Sequence, residues 1–202
     1  MTVLYYIHDP MCSWCWAFRS VWDEVQRRLP ETVSVTYLLG GLAPDSDAPM
    51  PESMRREIQR HWKTIQQRVP GTRFNFDFWR VCTPRRSTYP ACRAVIAARK
   101  QDPAMEDVMI LSIQDAYYLQ ARNPSDDDVL IDLAEHLGLD AEQFRRDLNT
   151  PETQQQLADE IHLSQSIGVQ GFPSLILKKK KSLRAIRIDY NDAEMILQQI
   201  HD

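Results

Sequence analysis

Two cysteines near the start of the chain, Cys12 and Cys15, form a C-x-x-C pair whose position favours redox chemistry. Residues 3–7, just before the pair, are β-branched and aromatic, which predicts a short buried strand. Apolar residues recur at helical spacing over residues 16–29, which predicts a helix that begins at the pair. The unpaired N–H groups and the dipole of a helix N-terminus favour a thiolate over a thiol. We therefore predict a nucleophile at Cys12 and a resolving thiol, one turn later, at Cys15.

The alternatives to a redox pair are a zinc half-site and a pair of inert structural cysteines. A zinc site needs a second pair of Cys or His ligands at matching spacing. The remaining cysteines, Cys82 and Cys92, are separated by nine residues and do not supply one. His8 is near the pair but alone, and it is either a group that tunes the thiolate or an ordinary turn residue. We therefore expect a redox pair and no bound metal.

Cys82 and Cys92 leave three alternatives open: a second redox pair, a structural disulfide, or two free thiols. Cys92 falls in a predicted helix of small residues, where a buried thiol usually packs as a small hydrophobic group. Free thiols are the favoured interpretation.

The composition of the chain argues against several classes of function. Its 202 residues are 43% hydrophobic and 26% charged, as in an ordinary globular protein that can build a sizeable core. The net charge of −4 gives no indication of nucleic-acid binding. No apolar run approaches the roughly 20 residues of a membrane span, and no signal-peptide pattern is visible. We expect a cytoplasmic protein with no nucleic-acid or membrane partner, in a compartment where C-x-x-C pairs are more often catalytic than structural.

The order of the predicted elements indicates an α/β fold. Alternating residues over 33–39 predict a second strand, so the chain begins with a βαβ unit and a parallel strand pair. Helical periodicity dominates residues 42–165, which we interpret as an all-α inserted subdomain. Strands at 174–177 and 183–188 and a last helix complete a βαβ–helical insertion–ββα order. Residues 1–41 and 166–202 are then one domain, interrupted by the insertion.

Four helix starts carry capping signals in the sequence. The predicted cap pairs are Ser125 with Asp128, Asp140 with Gln143, and Asn191 with Glu194, and Thr150-Pro151 opens a further helix.

Gly171-Phe172-Pro173 directly precedes the predicted third strand. Proline is tolerated at a strand start, and an X-Pro bond there can be cis or trans, with trans the commoner state. A proline loop facing the cysteine helix would leave the backbone of Phe172 free to bind an extended peptide. Trp14 adds an apolar surface beside the pair. Gly171, Phe172 and Trp14 are therefore predicted substrate-binding residues.

Aromatic residues are frequent within residues 74–79, and the sequence leaves their role open. They either line a substrate groove over Cys12 or pack the insertion on the sheet. The residues concerned are Phe74, Phe76, Phe78 and Trp79.

The whole pattern resembles the DsbA family, which has a thioredoxin-like fold with a helical insertion, and within it the FrnE-like branch of predicted thiol:disulfide oxidoreductases and isomerases. The resemblance implies that Cys12 is the nucleophile, Cys15 the resolving thiol and Pro173 a cis-proline. One departure is Tyr6, which occupies a position where many thioredoxin-fold enzymes carry a buried acid. The segments that carry the resemblance are Asp9-Pro10-Met11-Cys12-Ser13-Trp14-Cys15, Ala91-Cys92-Arg93-Ala94, Gln114-Asp115-Ala116-Tyr117-Tyr118, Arg122-Asn123-Pro124-Ser125 and Gln170-Gly171-Phe172-Pro173-Ser174.

The leading functional hypothesis is an enzyme that exchanges disulfides with protein or small-molecule thiols, as a monomer or homodimer. It needs no cofactor, although glutathione could act as a co-substrate. One alternative is a glutathione-dependent isomerase or transferase of the kappa-class or 2-hydroxychromene-2-carboxylate isomerase type, which typically carries a serine in place of the C-x-x-C pair. Another is a redox-responsive binding module.

Overall fold

A four-stranded mixed sheet holds the two ends of the chain together in the computed structural model, which describes residues 2–201. The strand order is β2-β1-β3-β4, with β1 and β2 parallel and the other pairs antiparallel. The parallel pair requires the intervening helix to cross over one face of the sheet. The elements that form the sheet and cover this face are β1 (Thr2–His8), α1 (Ser13–Arg28), β2 (Val33–Leu39), β3 (Ser174–Lys179), β4 (Ser182–Ile186) and α9 (Glu194–His201).

The segment between β2 and β3 is helical, as the periodicity predicts. Its helices are α2 (Glu52–Arg68), α3 (Phe78–Val81), α4 (Tyr89–Gln101), α5 (Met105–Tyr118), α6 (Asp127–His136), α7 (Ala141–Leu148) and α8 (Pro151–Ser166). The α/β fold with a helical insertion is therefore confirmed, whereas the division at residues 41 and 166 into two subdomains stays a prediction.

Two clusters hold most of the buried apolar residues. One lies between the sheet and helices α1 and α9, with Leu4, Phe18 and Trp22 at its centre. The larger one lies within the helical segment and also includes Leu39 of β2, so the insertion and the sheet share a core. Within residues 2–201, no helix is long and apolar enough to cross a membrane.

Two of the predicted caps form and two do not. The Asp140 side chain accepts the Gln143 N–H at the start of α7, and Thr150 accepts the Thr153 N–H at the start of α8. The Ser125 prediction is wrong, because that hydroxyl is buried and donates to the Ser87 carbonyl at 2.6 Å. The Asn191 prediction is also wrong, since Asp192 accepts the Glu194 N–H at 2.8 Å.

The last strand is shorter than predicted and ends at Ile186. The backbone of Arg187 pairs instead with the Gln199 side chain of α9, which accepts its N–H at 2.8 Å and donates to its carbonyl at 3.0 Å. A side chain from the neighbouring helix therefore replaces the strand ladder at this point.

Candidate active site

Cys12 lies at the junction of β1 and α1, as its position in the sequence predicts. It is the N-cap residue of α1, with extended backbone angles, and its carbonyl accepts the Trp16 N–H at 3.0 Å. Cys15 is in the first turn of α1 and is fully buried, whereas Cys12 is 7% exposed. Both sulfurs are free thiols. The pair therefore has one slightly exposed cysteine at a helix N-terminus and one fully buried cysteine in the first turn.

The two thiols differ in acidity. A hydrogen bond from the Cys15 thiol, together with the backbone N–H groups of Trp14 and Cys15, lowers the pKa of Cys12 against the opposing effect of burial. Burial, and then the neighbouring Cys12 sulfur, raise the pKa of Cys15 well above its ordinary value. Cys12 is therefore the more acidic thiol of the pair, and Cys15 is the less acidic one.

The proline loop faces this pair. The Phe172–Pro173 peptide bond is cis, and the Phe172 carbonyl oxygen lies 3.6 Å from the Cys12 sulfur. The Phe172 ring packs directly over Gly40, where a β-carbon would stand 2.0 Å from the ring. Gly40 is therefore the position whose lack of a side chain allows the loop to approach the cysteines. Gly171 is exposed and its carbonyl accepts the Ser174 hydroxyl at 2.7 Å.

Asp9 is a site residue that the sequence analysis missed. Its carboxylate is fully buried and accepts hydrogen bonds from the N–H groups of Met11 at 2.8 Å and Leu42 at 2.7 Å. It also accepts the Thr88 hydroxyl at 2.6 Å and the Cys92 thiol at 3.5 Å. These four hydrogen bonds favour the ionised carboxylate, but burial outweighs them and raises the pKa of Asp9. The only available signal was an Asp-Pro turn just before the cysteine.

His8 and Tyr6 do not supply a charge to the pair. Both are buried on β1, and their rings stack with centroids 5.1 Å apart. Burial lowers the pKa of His8 to about 3, so the ring is neutral at physiological pH. The neutral ring does not tune the Cys12 thiolate by its charge, and the interpretation of His8 as a turn residue is wrong because His8 ends β1. The buried carboxylate of this site belongs to Asp9 rather than to the Tyr6 position.

A cleft of about 310 Å³ opens beside the Cys12 sulfur, and we call it the Cys12 cleft. Trp14 and Phe172, two of the predicted substrate-binding residues, line this cleft, whereas the third, Gly171, is not among its lining residues. Its other walls carry residues of α2, with Arg86 and Tyr117 from later in the chain. The full lining is Met11, Cys12, Ser13, Trp14, Leu42, Met54, Glu57, Ile58, His61, Trp62, Arg86, Tyr117 and Phe172.

The aromatic residues at 74–79 do not line the Cys12 cleft, so the groove prediction is wrong for them. Phe78 and Trp79 are buried, and Phe74 stacks on Trp62 with centroids 4.7 Å apart. Their role is to pack the helical segment around Trp62, which itself reaches the cleft from α2. Trp14 lines the Cys12 cleft and also borders a second cleft of about 480 Å³ beside Tyr190, and its role in binding substrate stays a prediction.

The other two cysteines lie in different surroundings. Cys92 is fully buried in α4 against Asp9, as expected for a packed core residue. Cys82 is half-buried, with its sulfur 3.1 Å from the Ala121 carbonyl oxygen. Both are free thiols, so they form no structural disulfide.

Comparison with known proteins identifies the family. The model of the DSBA-like thioredoxin domain matches residues 3–197, and the chain belongs to this family. The chain is also similar to a curated protein, the ClpXP adapter protein SpxH of Halalkalibacterium halodurans, with 22% identity over 86% of this chain. The match spans 57% of that protein, so the chain covers little more than half the length of the curated relatives it matches.

Solved structures agree with the family assignment. A protein from Nitrosomonas europaea, described as a candidate protein disulfide isomerase, is 27% identical with a TM-score of 0.85, covering 99% of this chain and 95% of that chain. The cytosolic disulfide reductase DsbM from Pseudomonas aeruginosa is 26% identical with a TM-score of 0.76, covering 98% and 93%. DsbM is also known in a structure with glutathione. A 2-hydroxychromene-2-carboxylate isomerase shares the fold alone, at 11% identity, a TM-score of 0.64, and 90% and 87% coverage.

Proposed function

We propose that this protein is a thiol:disulfide oxidoreductase in which Cys12 attacks and Cys15 resolves. The observation that carries the proposal is the unequal acidity of the two thiols at the α1 N-terminus, opposite the proline loop. The family assignment and the similarity to DsbM support the same chemistry.

The exchange proceeds in two balanced steps. The Cys12 thiolate attacks one sulfur of a disulfide, so that a Cys12–substrate S–S bond forms, the substrate S–S bond breaks, and one thiolate leaves. The leaving thiolate takes the Cys15 proton, and the Cys15 thiolate then attacks the Cys12 sulfur and releases the second substrate sulfur. The substrate gains two electrons, and the pair becomes a disulfide.

The direction of exchange follows from the compartment. We place the protein in the cytoplasm, where the glutathione pool would keep the pair reduced and the net reaction would be reduction of disulfides. Glutathione is the co-substrate that we propose for regenerating the dithiol, since the similar DsbM has been seen with it. Isomerisation of protein disulfides would begin with the same attack by Cys12, but Cys15 would not resolve the mixed disulfide.

Serine substitutions test the assignment. Cys12→Ser should abolish reduction of a small disulfide, whereas Cys15→Ser should accumulate a mixed disulfide at Cys12 that mass spectrometry detects. Cys82→Ser is the matched control and should retain wild-type turnover, because Cys82 lies outside the Cys12 cleft. Turnover by Cys12→Ser would contradict the proposal.

A second candidate, a binding module for a protein partner, is favoured by the ClpXP adapter relatives. It predicts that a variant with serine at both Cys12 and Cys15 retains binding to ClpXP in a pull-down. Loss of disulfide reductase activity with full binding would support this candidate, and absence of binding by the wild type would reject it. The glutathione-dependent isomerase alternative is supported only by the shared fold, and the intact Cys12–Cys15 pair argues against it.

A further inference from the structure

The Cys12 cleft contains a cation without a partner. Arg86 is half-buried on the cleft wall, and among residues 2–201 it has no hydrogen bond or ion pair. Neighbouring arginines are satisfied: Arg85 lies 2.8 Å from Asp126, and Arg93 lies 2.8 Å from Asp45. An arginine that lines a cleft and has no carboxylate partner leaves its N–H donors free for an anion. The exception at Arg86 therefore marks the place where an anion would be favoured.

The Cys12 thiolate is not that anion. It is stabilised by Cys15 and by the first backbone N–H groups of α1. The Arg86 guanidinium, on the wall of the same cleft, is thus available to a bound molecule. Glu57 also lines the cleft, but it is exposed, so that water and salt screen its charge more strongly than that of Arg86.

The rest of the cleft fits a small substrate. Its volume of about 310 Å³ lies at the lower end of the range for small-molecule sites. Met54 and Ile58 give it an apolar wall, and the fully buried Trp62 lies behind them. A guanidinium presents a planar fork of N–H donors that matches a carboxylate. A compact molecule with an apolar part and a carboxylate would therefore satisfy both surfaces.

We propose that Arg86 binds a carboxylate of the disulfide substrate, so that the Cys12 cleft selects small anionic disulfides over neutral ones. This inference rests on the proposed oxidoreductase function and adds its specificity. Arg86 holds the substrate while Cys12 attacks, and it exchanges neither protons nor electrons in the step.

Three small disulfides test the inference on the reduced protein. Dithiodiglycolate carries two carboxylates, 2-hydroxyethyl disulfide is neutral and cystamine carries two ammonium groups. In Arg86→Gln, the second-order rate constant for oxidation by dithiodiglycolate should fall about tenfold, about 1.4 kcal/mol, as for loss of one charge-assisted hydrogen bond. The rate with 2-hydroxyethyl disulfide should stay within about twofold of wild type, and Arg86→Lys should recover part of the loss.

The matched control is Arg60→Gln, which removes the same charge from an exposed position on α2 outside the cleft lining. It should leave the rates with all three disulfides unchanged. Equal effects of Arg86→Gln on the anionic and neutral disulfides would overturn the inference, since that result assigns Arg86 a structural role. Failure of the wild type to react with any of the three would instead reject the proposed oxidoreductase function.

Discussion

Replacement of Asp9 by asparagine should have opposite effects on stability and on thiol acidity. The Asp9 carboxylate is fully buried and accepts two backbone N–H groups, a hydroxyl and a thiol. An asparagine keeps one acceptor oxygen but turns an NH₂ group toward a former donor. The loop between β1 and α1 then loses part of its support, while the cysteines lose a nearby negative charge.

The magnitude follows from the number of donors left unpaired. Each buried donor without an acceptor costs about 1–3 kcal/mol. Asp9→Asn leaves one donor facing an NH₂ group and should therefore cost about 1–3 kcal/mol. Asp9→Ala strands the two N–H groups, whereas the Thr88 hydroxyl keeps the Ala43 carbonyl as an acceptor at 3.3 Å. That variant should cost about 2–6 kcal/mol. For a chain of this size, a loss of 1 kcal/mol corresponds to a fall in Tm of about 2–4 °C.

The effect on acidity has the opposite sign. The Asp9 charge raises the pKa of both Cys12 and Cys15. Asp9→Asn removes that charge, so the pKa of Cys12 should fall below its wild-type value and the thiolate should persist to lower pH. Chemical denaturation measures the first effect, and the pH dependence of thiolate ultraviolet absorbance measures the second.

Asp47→Asn is the matched control, because Asp47 is exposed and should change neither quantity. A less stable Asp9→Asn protein with a raised Cys12 pKa would contradict the electrostatic argument. Unchanged stability would show that the four hydrogen bonds do not support the loop.

Three further predictions concern the same region. Iodoacetamide should alkylate reduced Cys12 at a pH below the ordinary thiol pKa of about 8.5, because the Cys15 hydrogen bond lowers the pKa of Cys12. Cys15 should react only at much higher pH. Equal pH profiles of alkylation at the two cysteines, measured by mass spectrometry, would reject this prediction. Gly40→Ala should displace the Phe172 ring and slow disulfide reduction about 10- to 100-fold. Adding Phe172→Leu to this variant should recover part of the activity. Wild-type turnover by Gly40→Ala alone would show that the proline loop tolerates displacement of the ring. Trp62→Ala should lower the free energy of unfolding, measured in urea, by about 3–5 kcal/mol, because the ring is fully buried at the centre of the aromatic cluster. A decrease below about 1 kcal/mol would contradict that packing role.

Local patterns along the chain determined the fold class and the position of the reactive pair. The alternation in 33–39 and the helical spacing after Cys12 predict β2 and α1 correctly, because both depend on residues close in sequence. The Gly-Phe-Pro segment similarly places Pro173 at the start of β3. The capping side chains were less predictable. The Ser125 hydroxyl, for example, donates to the carbonyl of Ser87, 38 residues away, and does not cap the helix.

Tertiary structure decided what surrounds the cysteines. Asp9 becomes a buried carboxylate only because Leu42, Thr88 and Cys92 converge on it from distant segments. The Cys12 cleft takes its wall from α2 rather than from residues 74–79, because the direction in which a helix docks depends on the packing of the whole insertion. Periodicity shows which face of a helix is apolar, but it does not contain the distances between elements that are far apart in sequence.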